Sequence, residues 1–148
     1  RKAGARIRLI PDGDIAGAIM TAMPETNIDM LLGIGGTPEG VIATAAMRCL
    51  GGTIMGKLHP VHQNELDFVK KHGIDLEKPL LMDDLISSED VFFAATGITT
   101  GDLLTGVSYF ANGAKTDSLV MRGITGTIRR IMATHHLNRL SEISSIPY

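Results

Sequence analysis

The sequence predicts an α/β fold, on three observations. Strand-like and helix-like stretches alternate through the first fifty residues, each switch from strand to helix passes through a glycine-containing loop, and two β-like runs flank a glycine turn near residue 125. Parallel strands need a crossover helix and antiparallel ones a tight turn, so a mixed, largely parallel sheet is expected.

The elements follow in order. Arg6–Ile10 alternates polar and apolar residues as a strand does, and Pro11 ends it before the loop Asp12–Asp14. With Asp14 as N-cap, Ile15, Ala18, Ile19 and Ala22 recur at helical spacing until Pro24. Ile28–Ile34 is a nearly continuous apolar run, the pattern of a strand covered on both faces. The glycine-rich loop that follows opens a helix over Gly40–Leu50, stopped by Gly51 and Gly52. From Pro60 to Ser88 the chain reads as helical, surface-like covering material, with a helix over Asn64–His72 closed by Gly73 and Pro79 interrupting before Leu80–Ile86. Glu89–Thr96 is another apolar strand. A Gly- and Thr-rich loop leads from it to Val107–Phe110, and Asp117–Gly123 and Thr127–Thr134 form a hairpin around Gly123–Gly126. One α/β domain is expected over residues 1–140, with a polar tail over 141–148 that frays from His136 onward.

Composition narrows the function. The 148 residues are 44% hydrophobic and 20% charged, which suits a folded globular chain. The formal charge of −2 and the scattered Lys and Arg give nucleic acid no basic face to bind. Apolar runs are far short of the ~20 residues a membrane helix needs. The lone Cys49 sits in a helical pattern and reads as a buried thiol, and with no charged-then-apolar leader the cytoplasm is the expected compartment.

Two loops can carry chemistry. GIGGTPEGV, residues 33–41, has four glycines whose N–H groups could close around a phosphate, yet Glu39 should repel one. Glu39 is either an ordinary first-turn glutamate favoured by the helix dipole, or a ligand of a divalent cation that also draws in phosphate. In PDGD, residues 11–14, Asp12 and Asp14 flank Gly13 as a metal pair, a clamp for sugar hydroxyls, or a turn with an N-cap. Both loops follow successive predicted strands, so they would converge on one cleft. The histidines lack ligand spacing: His59 and His62 are split by a proline, and His135 and His136 point to opposite strand faces. Thr96 and Ser118 have no Ser–His–Asp arrangement around them, and the eight methionines read as core filler.

Four stretches taken together, RIRLIPDGDIAGAI, GIGGTPEGVIATAAMRCLGG, FFAATGITTGDLL and SLVMRGITGTIRRI, resemble the class II fructose-1,6-bisphosphatases, the bacterial type within the lithium-sensitive, metal-dependent sugar phosphatase superfamily. The resemblance implies a layered α/β/α sandwich of which this chain is the second half. It implies Glu39 as a metal ligand, with Mn²⁺ or Mg²⁺ as the cofactor, and Asp12, Gly13, Asp14 and Gly36 as contacts of a sugar bisphosphate. The implied reaction is hydrolysis of the 1-phosphate of fructose 1,6-bisphosphate in gluconeogenesis. It also implies an N-terminal half that supplies an acidic cluster, a tyrosine and basic residues, together with a homo-oligomer. No catalytic residue is assigned in this chain, so the 148 residues alone are expected to be inactive or nearly so. Two other readings stay open: a non-catalytic phosphosugar-binding or regulatory module, and a related phosphatase acting on inositol phosphates or another sugar bisphosphate.

Overall fold

A long hairpin organises the molecule. In the computed structural model, which describes residues 1–144, β3 (Gly113–Arg122) and β4 (Thr127–His136) pair antiparallel from Arg122↔Thr127 to Gly113↔His136. On its other edge β3 pairs with β1 (Phe92–Thr96) and then with β2 (Ser108–Phe110), both antiparallel. Every ladder in this four-stranded sheet therefore runs through β3.

The largely parallel sheet expected from sequence is thus corrected to an antiparallel one. The turns explain the direction, since four residues join β3 to β4 and two join β2 to β3, too few for a crossover. The strands expected at Arg6–Ile10 and Ile28–Ile34 form no ladder with any described residue. Nor is the second of them covered on both faces, for Leu32 and Ile34 are 81% and 83% exposed, and Leu9 of the first is 89% exposed. Apolar content makes a strand only where another strand offers its backbone groups, and none does here.

The helices agree better with local signals. Asp14–Thr21 forms α1, with Gly13 rather than Asp14 as its N-cap, and Thr37–Leu50 forms α2, with Pro38 and Glu39 in its first turn. These two helices pack on each other, and α2 lies against one face of the sheet. Ile19, Ala46 and Cys49 meet Phe93, Leu104, Leu119 and Met121 in the core. The opposite face, carrying Phe92, Ala94 and Thr96 of β1 beside Arg129 and Ile131 of β4, is exposed. So the sandwich expected from the resemblance is a helical layer on one side of the described sheet.

Helix α3 (Gln63–His72) packs against no other helix or strand of the described residues, so the segment expected to cover the fold stands away from it. Its base is closed by the bridge Gly56↔Leu80 and the Lys57–Glu77 ion pair at 2.5 Å. A short helix, α4 (Met82–Leu85), returns the chain to α2, where the guanidinium of Arg48 binds Asp83, Glu89 and the carbonyl of Ile86. The expected frayed tail is in part a helix, α5 (Leu137–Ile143), docked on β3 and β4. Positions 145–148 of the expected tail lie outside the described residues. No helix among the described residues is long and apolar enough to cross a membrane.

Candidate functional site

One cleft of about 630 Å³ lies where the two suspect loops meet, lined by residues 10–15, 31–34, Gly36 and Glu39. Asp12, Gly13, Asp14, Gly36 and Glu39, separate in sequence, all face it. They are brought together by helix α1. Ile10 and Leu31 lie side by side over Gly17, with Ile10 Cδ1 3.1 Å and Leu31 Cδ1 3.3 Å from where a Cβ at Gly17 would stand. Each loop is therefore seated on the same helix through the residues that precede it.

Local conformation sets the first loop. Gly13 has φ +82°, in the left-handed region that glycine enters without steric cost, and this lets the chain turn from Asp12 into α1. Asp14 becomes the first helical residue and its side chain makes no capping bond, which removes the N-cap reading of this carboxylate. In the second loop, Glu39 lies in the first turn of α2, near the positive end of the helix dipole. Its Oε2 rests against Gly36, where any Cβ would collide with it.

The electrostatics of the cleft are one-sided. Asp12, Asp14 and Glu39 line it, none of their carboxylates in a hydrogen bond or ion pair among the described residues, and no Lys, Arg or His lines it. Three carboxylates facing common solvent repel a phosphate and attract a cation. Yet no group of three or more His, Cys, Asp or Glu side chains among the described residues is arranged to hold a metal ion. A divalent cation at Glu39 would have one carboxylate from this chain and water for the rest, so these residues do not themselves make a metal centre.

An ion pair that anchors the loop over 97–105 was not read from sequence. Asp117 is a buried charged residue, 3% exposed, in the middle of β3. Its carboxylate accepts hydrogen bonds from Arg130 Nε at 3.0 Å and Nη2 at 2.6 Å, and from the Thr105 N–H at 2.9 Å. Its main-chain carbonyl accepts the Gly97 N–H at 3.0 Å, so one residue ties both ends of the loop over 97–105. The Arg130 guanidinium, then the Thr105 N–H, holds the Asp117 carboxyl down at about 2. From that loop Asp102 reaches Arg8 at 2.5 Å, four residues before Asp12. The signal in the sequence was an acidic residue opening a β-like run that pairs with a strand carrying Arg129 and Arg130.

Of the methionines expected as core filler, Met20, Met47 and Met121 are buried, but Met30, Met55 and Met132 are exposed. Thr96 Oγ1 and Ser118 Oγ pair with each other at 2.8 Å. His135 Nε2 lies 2.9 Å from Thr116 Oγ1, and the His72 ring stacks on Phe68 with centroids 4.0 Å apart. Cys49 is buried, which raises its thiol pKa.

Comparison with known proteins adds to this geometry. Residues 1–135 match a protein family described as "Bacterial fructose-1,6-bisphosphatase, glpX-encoded". The chain is 39% identical over 156 aligned positions to the fructose-1,6-bisphosphatase class 2 of Haemophilus influenzae, covering 97% of this chain and 47% of that protein. It is 44% identical over 149 positions to the fructose-1,6-bisphosphatase 1 class 2 of Escherichia coli K12, covering 92% of this chain and 44% of that one. The chain thus spans a little under half the length of the relatives it matches.

Proposed function

The chain belongs to the bacterial, class II fructose-1,6-bisphosphatase family, and from that premise we propose that it supplies the sugar-holding side of a phosphatase site. The reaction is hydrolysis of the 1-phosphate of fructose 1,6-bisphosphate, giving fructose 6-phosphate and phosphate, as gluconeogenesis requires. The observation that carries the reading is that Asp12, Gly13, Asp14, Gly36 and Glu39 line one cleft.

Each residue has a task its chemistry suits. The carboxylates of Asp12 and Asp14 accept hydrogen bonds from sugar hydroxyls, a charge-assisted interaction that discriminates one polyol from another. Gly13 leaves room for the substrate to approach the backbone, and Gly36, having no side chain, admits the Glu39 carboxylate at the edge of the cleft. Glu39 contributes one ligand to a divalent cation, Mn²⁺ or Mg²⁺, whose other ligands lie outside these residues; when bound, such an ion neutralises phosphate charge. That ion answers the conflict between glycine loop and glutamate, because a carboxylate repels phosphate only while no cation stands between them. Acidic residues in the part of the relatives that this chain does not span are the proposed source of the remaining ligands.

The test is phosphate release from fructose 1,6-bisphosphate with Mn²⁺, using the full polypeptide as its gene encodes it and, separately, the 148 residues. Turnover is expected from the first, its loss in E39Q, and little or none from the second. Absence of turnover from the full polypeptide sinks the proposal, and faster hydrolysis of an inositol phosphate replaces its substrate.

A further inference from the structure

Resting on that reading of the cleft, we propose that Gly35 is a positioning residue: having no side chain, it seats the Asp14 carboxylate against the second loop and so fixes where Asp14 meets the sugar. A Cβ at Gly35 would stand 2.8 Å from Asp14 Oδ2 and 3.9 Å from its Cγ, with no other atom of the described residues, its chain neighbours aside, within 4 Å. The usual reasons for a glycine do not apply. Gly35 is not among the glycines with positive φ, and it is exposed rather than packed. Two residues earlier in the same loop, Gly33 has open space where its Cβ would be.

The two adjacent glycines therefore serve different carboxylates. Gly36 is pressed by Glu39 from its own helix, while Gly35 is pressed by Asp14 from α1. The Gly35–Gly36 step thereby sets the separation between the carboxylate assigned to the sugar and the one assigned to the cation. Asp14 has only two side-chain torsions and a helical backbone, so few rotamers are open to it. A methyl group at Gly35 drives its carboxylate into another of these. Because the only atoms in the way are the end of one side chain, the fold itself loses little.

The experiment is a double-mutant cycle in the full polypeptide as its gene encodes it, with G35A, D14A and G35A/D14A, and with G33A for comparison. Expected for G35A is a KM for fructose 1,6-bisphosphate raised roughly tenfold, the loss of about one hydrogen bond to a charged group, with a smaller change in kcat. G33A should raise KM less than G35A, and the melting temperature of G35A should stay near that of the unsubstituted protein. The double variant should match D14A alone, since a methyl cannot displace a carboxylate that is absent. A G35A effect that adds in full to that of D14A overturns the proposal, as does one no larger than that of G33A. A melting point lowered by several degrees overturns it too, because the methyl then meets more than Asp14. If the unsubstituted protein releases no phosphate from the bisphosphate, the reading of the cleft is lost and the proposal with it; a silent G35A in an active protein removes the proposal alone.

Discussion

Arg130 and Asp117 face each other diagonally across β3 and β4, joined by two hydrogen bonds of 3.0 and 2.6 Å, with the carboxylate buried and the guanidinium half in solvent. Their pairing is the hinge between the sheet and the loop over 97–105, and it gives a pH dependence. The folded-state value of Asp117, about 2, lies below the ordinary carboxylate value. A depressed carboxyl contributes stability that is complete above its unfolded value of ~4 and is lost as pH falls through the folded one. Urea unfolding of the parent and D117N is therefore expected to differ by a constant amount from neutral pH down to ~4, with the gap closing toward pH 2. A gap that stays constant to pH 2 contradicts the assignment.

Arg48 makes an unequal set of partners. Its side chain is 7% exposed, whereas Asp83 and Glu89 are 89% and 75% exposed. Either carboxylate can return to water, while the Arg48 side chain is packed and its Nη2 also donates to the Ile86 carbonyl at 2.8 Å. R48A is expected to cost about 2 kcal/mol, and D83A or E89A less than about 1 kcal/mol each. Chemical denaturation of the three variants checks the order, and equal losses would place the interaction in the ion pairs instead.

Leu9, Leu32 and Ile34 expose most of their surface beside the cleft. Large aliphatic side chains left in water form the kind of surface that another molecule covers. The 148-residue chain is expected to elute above its monomer size at high micromolar concentration, and L9T/L32T/I34T to shift it toward the monomer. Light scattering across a dilution series reads this directly; a parent that stays monomeric removes the expectation.

Cys49 is 3% exposed and its thiol pKa is raised by burial. A buried, protonated thiol reacts slowly. Alkylation by a thiol reagent at neutral pH is expected to be negligible in the folded protein and complete in denaturant, so the labelling rate should follow global opening. Rapid labelling without denaturant would place Cys49 outside the core.

What could be read from the sequence was whatever neighbouring residues decide. Gly51 announced the end of α2, Gly73 the end of α3, and Gly123–Gly126 the turn of the hairpin, because caps and turns are set by a few adjacent dihedrals, whereas α2 starts at Thr37, three residues before the expected Gly40. The two loops do share a cleft, but not for the expected reason, since the strands meant to carry them form no ladder and α1 seats both instead. What failed was pairing at a distance. Ile28–Ile34 has the composition of a buried strand, but composition does not supply the strand it must bind. β3 begins at Gly113, four residues before the expected start, because Ala114, Lys115 and Thr116 owe their place to β2 and β4 rather than to apolar pattern. Gly35 was visible as one more glycine of a loop. Its relation to Asp14 joins residues twenty-one positions apart and emerges only once α1 has turned.

Because β3 is the shared neighbour of β1, β2 and β4, the order in which the chain leaves the ribosome matters. Phe92–Thr96 is complete well before its partner, residues 118–122, has been made, and through that interval the core face of α1 and α2 has no floor. The cleft at their N-terminal ends is spelled out in the first forty residues of this chain, yet it can take its final shape only when synthesis has passed Arg122. β4 reaches β3 through a short local turn at Gly123–Gly126, whereas β1 has to wait for a partner that lies far along the chain, the kind of distant pairing that costs loop-closure entropy.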